Sequence, residues 1–170
     1  YDSRTLYFTV GNWLGNLTTG PGMQIRSAAA GTDFFSRRPF ERADESPDER
    51  FYRQPRFVNH IDDRAVESIQ DLYKRLLRPG GRVLDLMSSW QSHLPENLRL
   101  RRSVGLGLNE SELKKNFSLS ESVVQDLNMN PRLPFESDSF DVVTCTVSAE
   151  YLIDQLAVFE EVSRVLRKNG

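Results

Sequence analysis

The chain has 170 residues, 38% of them hydrophobic and 27% charged, with a formal net charge of -2. That is the composition of one folded domain rather than of a disordered segment. So even a balance gives no global pull toward nucleic acid or an anionic membrane, and no nucleic-acid or membrane partner is expected. No apolar run reaches the roughly 18 residues that a spanning helix needs.

The chain starts at Tyr1, which leaves a targeting segment open. The single cysteine, Cys145, allows no internal disulfide and points to a reducing, intracellular compartment. The sequons Asn16-Leu17-Thr18 and Asn116-Phe117-Ser118 are of the kind that arises by chance, so glycosylation is not expected. Two distant histidines and one cysteine show no metal-ligand spacing, and no metal is expected.

Residues 1–31 read as a tether or an upstream remnant. Thr5 to Val10 suits a short strand, and the run Gly11, Asn12, Gly15, Asn16, Gly20, Pro21, Gly22 is turn chemistry. Residues 32–61 form a charged and aromatic cap segment. Arginines alternate with Asp44, Glu45, Asp48 and Glu49, as on a solvated face, while Phe34, Phe35, Phe40, Phe51, Tyr52 and Phe57 suggest docking on a core.

From residue 62 to 170 the pattern is that of alternating strands and helices. Asp62 or Asp63 caps a helix whose stripe is Val66, Ile69, Leu72, Tyr73, Leu76 and Leu77, and Arg78-Pro79-Gly80-Gly81 stops it. Strands follow at Val83–Met87, Ser103–Leu108, Ser122–Asp126 and Phe140–Val147, with a short helix over Glu110–Phe117. A last helix runs from about Gln155 to Leu166, with Leu156, Phe159, Val162, Val165 and Leu166 on one stripe. The expected fold is α/β: a Rossmann-like three-layer αβα sandwich with a mostly parallel sheet. The strand order should reverse between the first and fourth strands, and ligands bind at such a switch point. The fourth strand would be left on an open edge, so the natural protein is expected to continue beyond Gly170, and this chain by itself to be inactive.

The segment Leu133-Pro134-Phe135-Glu136-Ser137-Asp138-Ser139-Phe140-Asp141-Val142-Val143 resembles the L-P-F-x-x-x-S-F-D-x-V approach to the fourth strand in class I S-adenosylmethionine-dependent methyltransferases of the type 11 group. Ala157 to Gly170 is similar to that group's helix and turn ending in L-K-P-G-G. The loop Leu86 to Pro95, with Val104-Gly105-Leu106-Gly107-Leu108-Asn109, looks like a plant, algal and cyanobacterial branch, which would place the protein in cytoplasm or plastid.

The resemblance implies S-adenosylmethionine as cofactor and a small-molecule acceptor; it leaves the oligomeric state open. It puts Asp85 at the methionine end of the cofactor, with Met87, Ser88 and Ser89 in the loop beside it. Asp126 becomes the acceptor for the adenine amine, a donor that a buried carboxylate suits, and Leu127 offers its backbone amide to the ring. Two departures stand out. The family's D-x-G-x-G-x-G loop has Met87, Ser89 and Gln91 where glycines belong, and its acid for the ribose hydroxyls falls at Gly107. Asn109 or Glu110 could substitute for that acid.

Methyl transfer needs alignment in a dry pocket more than it needs a dedicated catalytic group. Glu150 is the candidate base and Tyr151 the candidate acceptor-orienting group, against the plainer readings that Glu150 caps the next helix and Tyr151 is core. His93 faces solvent more often than ligand in such a loop, and His60 reads as locally structural. Cys145 reads as a buried small hydrophobe, Asp141 as structural, and Trp90 as core filling rather than cofactor packing. Phe51 to His60 is expected to cover the pocket mouth. Two readings compete with methyl transfer. One is a binding or scaffold protein that keeps the fold with a degenerate loop. The other is a nicotinamide reductase, which would want G-x-G-x-x-G after the first strand and an acid after the second.

Overall fold

A computed structural model describes residues 52–168 and the residue pairs 9–10 and 13–14. The pairs form an antiparallel ribbon, β1 (Thr9–Val10) against β2 (Trp13–Leu14). The expected strand over Thr5–Val10 is thus seen only at its end. The rest of the tether and the cap segment up to Phe51 lie outside the described residues.

The domain proper starts with α1 (Asp63–Leu76). Its N-cap is Asp62, whose Oδ1 accepts from Ala65 N at 2.9 Å. This fills one of the donors that a helix start leaves unpaired. The helix stops at Leu77, and Gly80 turns the chain with φ +79°, a left-handed conformation open to glycine at no steric cost. Four parallel strands follow: β3 (Arg82–Leu86), β4 (Arg102–Gly107), β5 (Glu121–Val124) and β6 (Val142–Cys145). Helix α2 (Glu110–Lys115) joins β4 to β5, and α3 (Gln155–Val165) follows β6. The order in the sheet is β5-β4-β3-β6. The chain reverses direction of growth between β3 and β6, as the spacing of elements predicts.

Alternation along β3 divides the core in two. Val83 packs with Tyr73 and Leu77 of α1 and with Leu94. Leu84 and Leu86 point to the opposite face, where Val158, Val162 and Val165 of α3 meet Leu133, Phe140 and Leu152. Helices therefore cover both faces of the sheet, which is why β3 and β4 are buried almost end to end. Beyond the outer side of β6, Leu166 pairs in parallel with Phe140. No helix among the described residues is long and apolar enough to cross a membrane.

The approach to β6 is braced from α3. Glu161 Oε2 accepts from Leu133 N at 2.9 Å, and Arg164 donates to the carbonyls of Leu133 and Phe135 at 2.9 and 2.8 Å while pairing with Glu161 at 2.6 Å. Phe135 meets Phe140 edge to face at 5.0 Å between ring centroids. Asp141 Oδ2 accepts from Arg82 N at 2.8 Å and so ties the start of β6 to the start of β3, the structural role expected of it.

Candidate functional site

The carboxyl ends of β3 and β6 meet at Asp85 and Thr144, which are direct neighbours across the two strands. On the other side Asp85 faces Gly105 of β4. Asp85 is only 4% exposed. Its Oδ1 accepts from Thr144 Oγ1 at 3.0 Å and its Oδ2 from Ser88 Oγ at 2.6 Å. Burial outweighs these bonds and pushes the carboxyl up to about 6.

Ser88 reaches Asp85 because β4 carries glycines. A Cβ on Gly105 would lie 3.1 Å from Ser88 Oγ, and one on Gly107 only 2.1 Å from the Ser88 carbonyl oxygen. Glycine inside a strand marks a close approach of other backbone, and here the visitor is the loop after β3. Ser88 N donates to Leu106 O at 2.8 Å, which fixes the loop across the end of β4. The missing family acid at position 107 therefore has a physical cause: any side chain there would collide with the loop.

Met87 adopts φ +56°, and His93, in the same loop, φ +52°. Met87 takes a glycine-like conformation with a side chain still attached, and that side chain packs against the α3-side core. The turn is made here by a residue with a side chain, against the steric preference of an L-residue. Val147 is also left-handed, at φ +55°, just past β6. A β-branched residue there is a true outlier.

A cleft of about 80 Å³ opens at this switch point. Val58 to Ile61, Asp85 to His93 and Thr146 to Ser148 line it. Asp85, Met87, Ser88 and Ser89 are thus brought together as expected. The segment before α1 forms part of the wall, but Phe51 lies outside the described residues. Phe57 stacks edge-on against Trp90 at 6.2 Å, and Trp90 Nε1 donates to Val58 O at 3.1 Å. Trp90 is therefore part of the wall rather than core filling. His93 and His60 also line the cleft, and burial lowers the His93 imidazole below its ordinary value. A larger and more open groove of about 1090 Å³ runs along Trp90 to Leu100 and Lys115 to Ser120.

The remaining expected contacts are not in the cleft wall. Asn109 caps α2: its Oδ1 accepts from Ser111 N and Glu112 N, and its Nδ2 donates to Tyr52 O at 2.7 Å. Both ends of that amide are occupied. Asp126, half-buried after β5, closes a turn by accepting from Asn128 N at 2.8 Å. Leu127 is buried in the α3-side core. Glu150 and Tyr151 sit exposed on a 3-10 turn, Ala149–Tyr151, and line no part of the cleft. Glu150 does not cap the next helix; Asp154 does. Tyr151 is 48% exposed, so the core reading of it fails. Cys145 packs against the core, its thiol pushed up to about 12 by burial and by the charges of Asp85 and Glu150. Asn116 is buried, donating to Ser89 O and Ser92 Oγ, so its sequon offers no free amide.

Several residues that organise the site carry no obvious mark in the sequence. Glu112 is buried on α2 and accepts from Arg56 N and Ser89 Oγ, both at 2.6 Å. Its spacing from Asn109 suggests a capping box, yet the carboxylate turns outward to hold the loop and the segment before α1. Tyr73, expected only as an apolar stripe residue, bonds Thr146 Oγ1 at 2.6 Å.

Comparison with known proteins agrees with this architecture. Solved structures that resemble the chain include the PH0226 protein from Pyrococcus horikoshii (TM-score 0.53, 24% identity, 71% of this chain and 62% of that one). The YcgJ protein from Bacillus subtilis is another (0.51, 23%, 61% and 47%), as is the [4+2]-cyclase SpnF (0.52, 19%, 61% and 42%). The chain thus spans between 42% and 62% of these structures' lengths. Their identities establish the fold alone, and a cyclase among them illustrates that the fold does not fix the reaction. No curated protein matches the sequence. Residues 90–170 match the sequence model of the methyltransferase domain, for which the implied cofactor is S-adenosylmethionine.

Proposed function

We propose that the chain contributes the cofactor half of an S-adenosylmethionine-dependent methyltransferase acting on a small-molecule acceptor. The observation that carries this reading is Asp85, a buried carboxylate at the β3/β6 switch point, where the carboxyl ends of the strands open onto a cleft. The residues fit the two ends of the cofactor better than its middle. Asp85 would hold the methionine end, Asp126 the adenine amine and Leu127 its amide against the ring. Gly107 offers nothing to the ribose, and the Asn109 amide is occupied.

When bound, the cofactor supplies a methyl group on a sulfonium for in-line displacement. The protein's part is to exclude water and to orient. Val58 to Ile61 and Trp90 close the mouth of the cleft. Glu150 and Tyr151, exposed on the turn after β6, are available as base and orienting group to an acceptor arriving from solvent. The cleft's 80 Å³ is well below the roughly 300–1,000 Å³ of ligand pockets, so its wall must move for a nucleoside-sized ligand to enter.

A second reading is a non-catalytic binding or scaffold protein. It is favoured by one observation: the Ser88 carbonyl occupies the space over Gly107 where the family places its ribose acid. Calorimetric titration of the protein with S-adenosylmethionine and S-adenosylhomocysteine separates the two. Micromolar binding that Asp126→Ala removes supports the enzyme. Absence of binding by the folded protein moves the reading to the scaffold.

A further inference from the structure

The three stretches that wall the cleft are not equally free to move. The loop after β3 is pinned from several sides. Ser88 N donates to Leu106 O at 2.8 Å, Ser88 Oγ donates to Asp85 at 2.6 Å, and Ser89 O accepts from Asn116 Nδ2 at 2.9 Å. Thr146 to Ser148 run straight on from β6. The segment before α1 is different. Residues 53–60 are all exposed, and the apolar Phe57 and Val58 among them are 38% and 53% exposed. Little apolar burial holds them down, which is the mark of a stretch that opens at low cost.

Both ends of this strap are fixed. Tyr52 O accepts from Asn109 Nδ2 at 2.7 Å, and Asp62 caps α1. Between them the strap is fastened to α2 and to Trp90. Arg56 N donates to Glu112 Oε1 at 2.6 Å, and the Lys115 ammonium lies 4.2 Å from the centre of the Phe57 ring. Trp90 Nε1 donates to Val58 O at 3.1 Å. Glu112 differs from the other fasteners in being only 5% exposed, and its second oxygen is also in use: Oε2 accepts from Ser89 Oγ at 2.6 Å. One buried carboxylate therefore holds the strap with one oxygen and the cofactor loop with the other.

We propose that Glu112 is a positioning residue of this cleft, a clasp that holds the strap against the Ser89–Trp90 side of the mouth. Ligand entry then proceeds by release of Arg56 N from Oε1 and lifting of residues 53–61 between their two fixed ends, while the backbone of the loop after β3 stays on the sheet. This deepens the cofactor reading and rests on it for what enters, though not for the opening.

Hydrogen exchange followed by NMR in the protein without ligand reads the opening. The Arg56 amide and the Trp90 indole N–H should exchange through one shared opening that low urea leaves unchanged, and the Ser88 amide through a rarer one that urea promotes. Glu112→Ala should raise the shared opening about tenfold or more, still without urea dependence. Glu112→Gln, whose amide accepts from Arg56 N and donates to Ser89 Oγ, should raise it only about two- to threefold. Urea-promoted exchange of Arg56 together with Ser88, or no change in folded Glu112→Ala, overturns the clasp. If that variant does not fold, Glu112→Gln decides: a rise in both strap protons supports the clasp, no change overturns it. Rapid mixing with S-adenosylhomocysteine should show entry about tenfold faster in Glu112→Ala, and equal entry rates overturn the strap as the gate. If this ligand does not bind while exchange behaves as expected, the cofactor reading fails and the clasp stands.

Discussion

Two stretches of this domain flank the same pair of strands and differ in how far they resemble the methyltransferase motifs. The approach to β6, residues 133–141, resembles the methyltransferase motif and is braced into the core and sheet. Leu133 and Phe140 are core, Glu161 and Arg164 hold the loop's backbone, and Asp141 ties β6 to β3. The loop after β3, residues 87–95, has Met87, Ser89 and Gln91 where the resembling motif has glycines, and Ser88 latches onto Asp85. The resemblance is therefore strongest where the sequence builds the sheet and weakest where it would meet a ligand. A family match of this kind reports the scaffold before it reports the site.

The comparison can be broken or sharpened by substitution. The largest effect is expected from Gly107→Asp, which restores the family's acid. Its Cβ would meet the Ser88 carbonyl oxygen at 2.1 Å. Backbone cannot yield as a side chain tip does, so a loss on the order of 4 kcal/mol or failure to fold is expected, beyond ordinary overpacking. A tolerated Gly107→Asp would show that the loop is free to leave, and urea unfolding reads the difference.

Next comes pH. The Asp85 carboxyl titrates near 6 in the folded protein against an ordinary 3.8, so the folded state holds a proton that the unfolded state has released. The stability this contributes is present below about 4 and is lost as pH rises through 6, an amount on the order of 3 kcal/mol. Glu121 and Glu161, held below their ordinary values by Arg102 and Arg164, work in the opposite sense, and they are largely exposed. Comparing urea midpoints of the protein and Asp85→Asn from pH 4.5 to 8 isolates the Asp85 slope. The difference should move toward the variant as pH rises from 4.5 to about 6 and level off above that, and a flat difference across the range would refute the burial argument.

On the bracing side, Arg164→Ala removes charged hydrogen bonds to Leu133, Phe135 and Glu161 and should cost about 2 kcal/mol. The urea midpoint should fall with an unchanged slope, and the Asp85 titration should not move. The smallest effect belongs to Val147→Gly. Relief of the left-handed valine, about 1–2 kcal/mol, is set against the entropy that glycine adds to the unfolded chain. A gain of up to about 1 kcal/mol is expected from thermal unfolding.

The scaffold was legible because its signals are local and periodic. The stripe of α1, the stop at Arg78 to Gly81, and the β-rich run at Val142 each say what they do within a few residues, and strand and helix limits differ from the reading by only a few residues. The switch-point position of Asp85 followed from the order of elements. The site's polar contacts did not follow, because Ser88 and Thr144 on Asp85, and Tyr73 on Thr146, come together from separate elements with no common spacing. Glu112 was hidden by a capping-box spacing that it does not use. One signal was available and carried further than its first use: Gly105 and Gly107, alternating on one face of β4, announce that backbone will lie there. Read that way, the absent ribose acid and the serine-rich loop are a single feature.

The most direct test is a structure of the protein determined with S-adenosylhomocysteine bound. The account expects the methionine end against Asp85, with the Ser88 latch opened or turned, and the adenine amine on Asp126. A ligand seated elsewhere, with Ser88 still closed on Asp85, would contradict it.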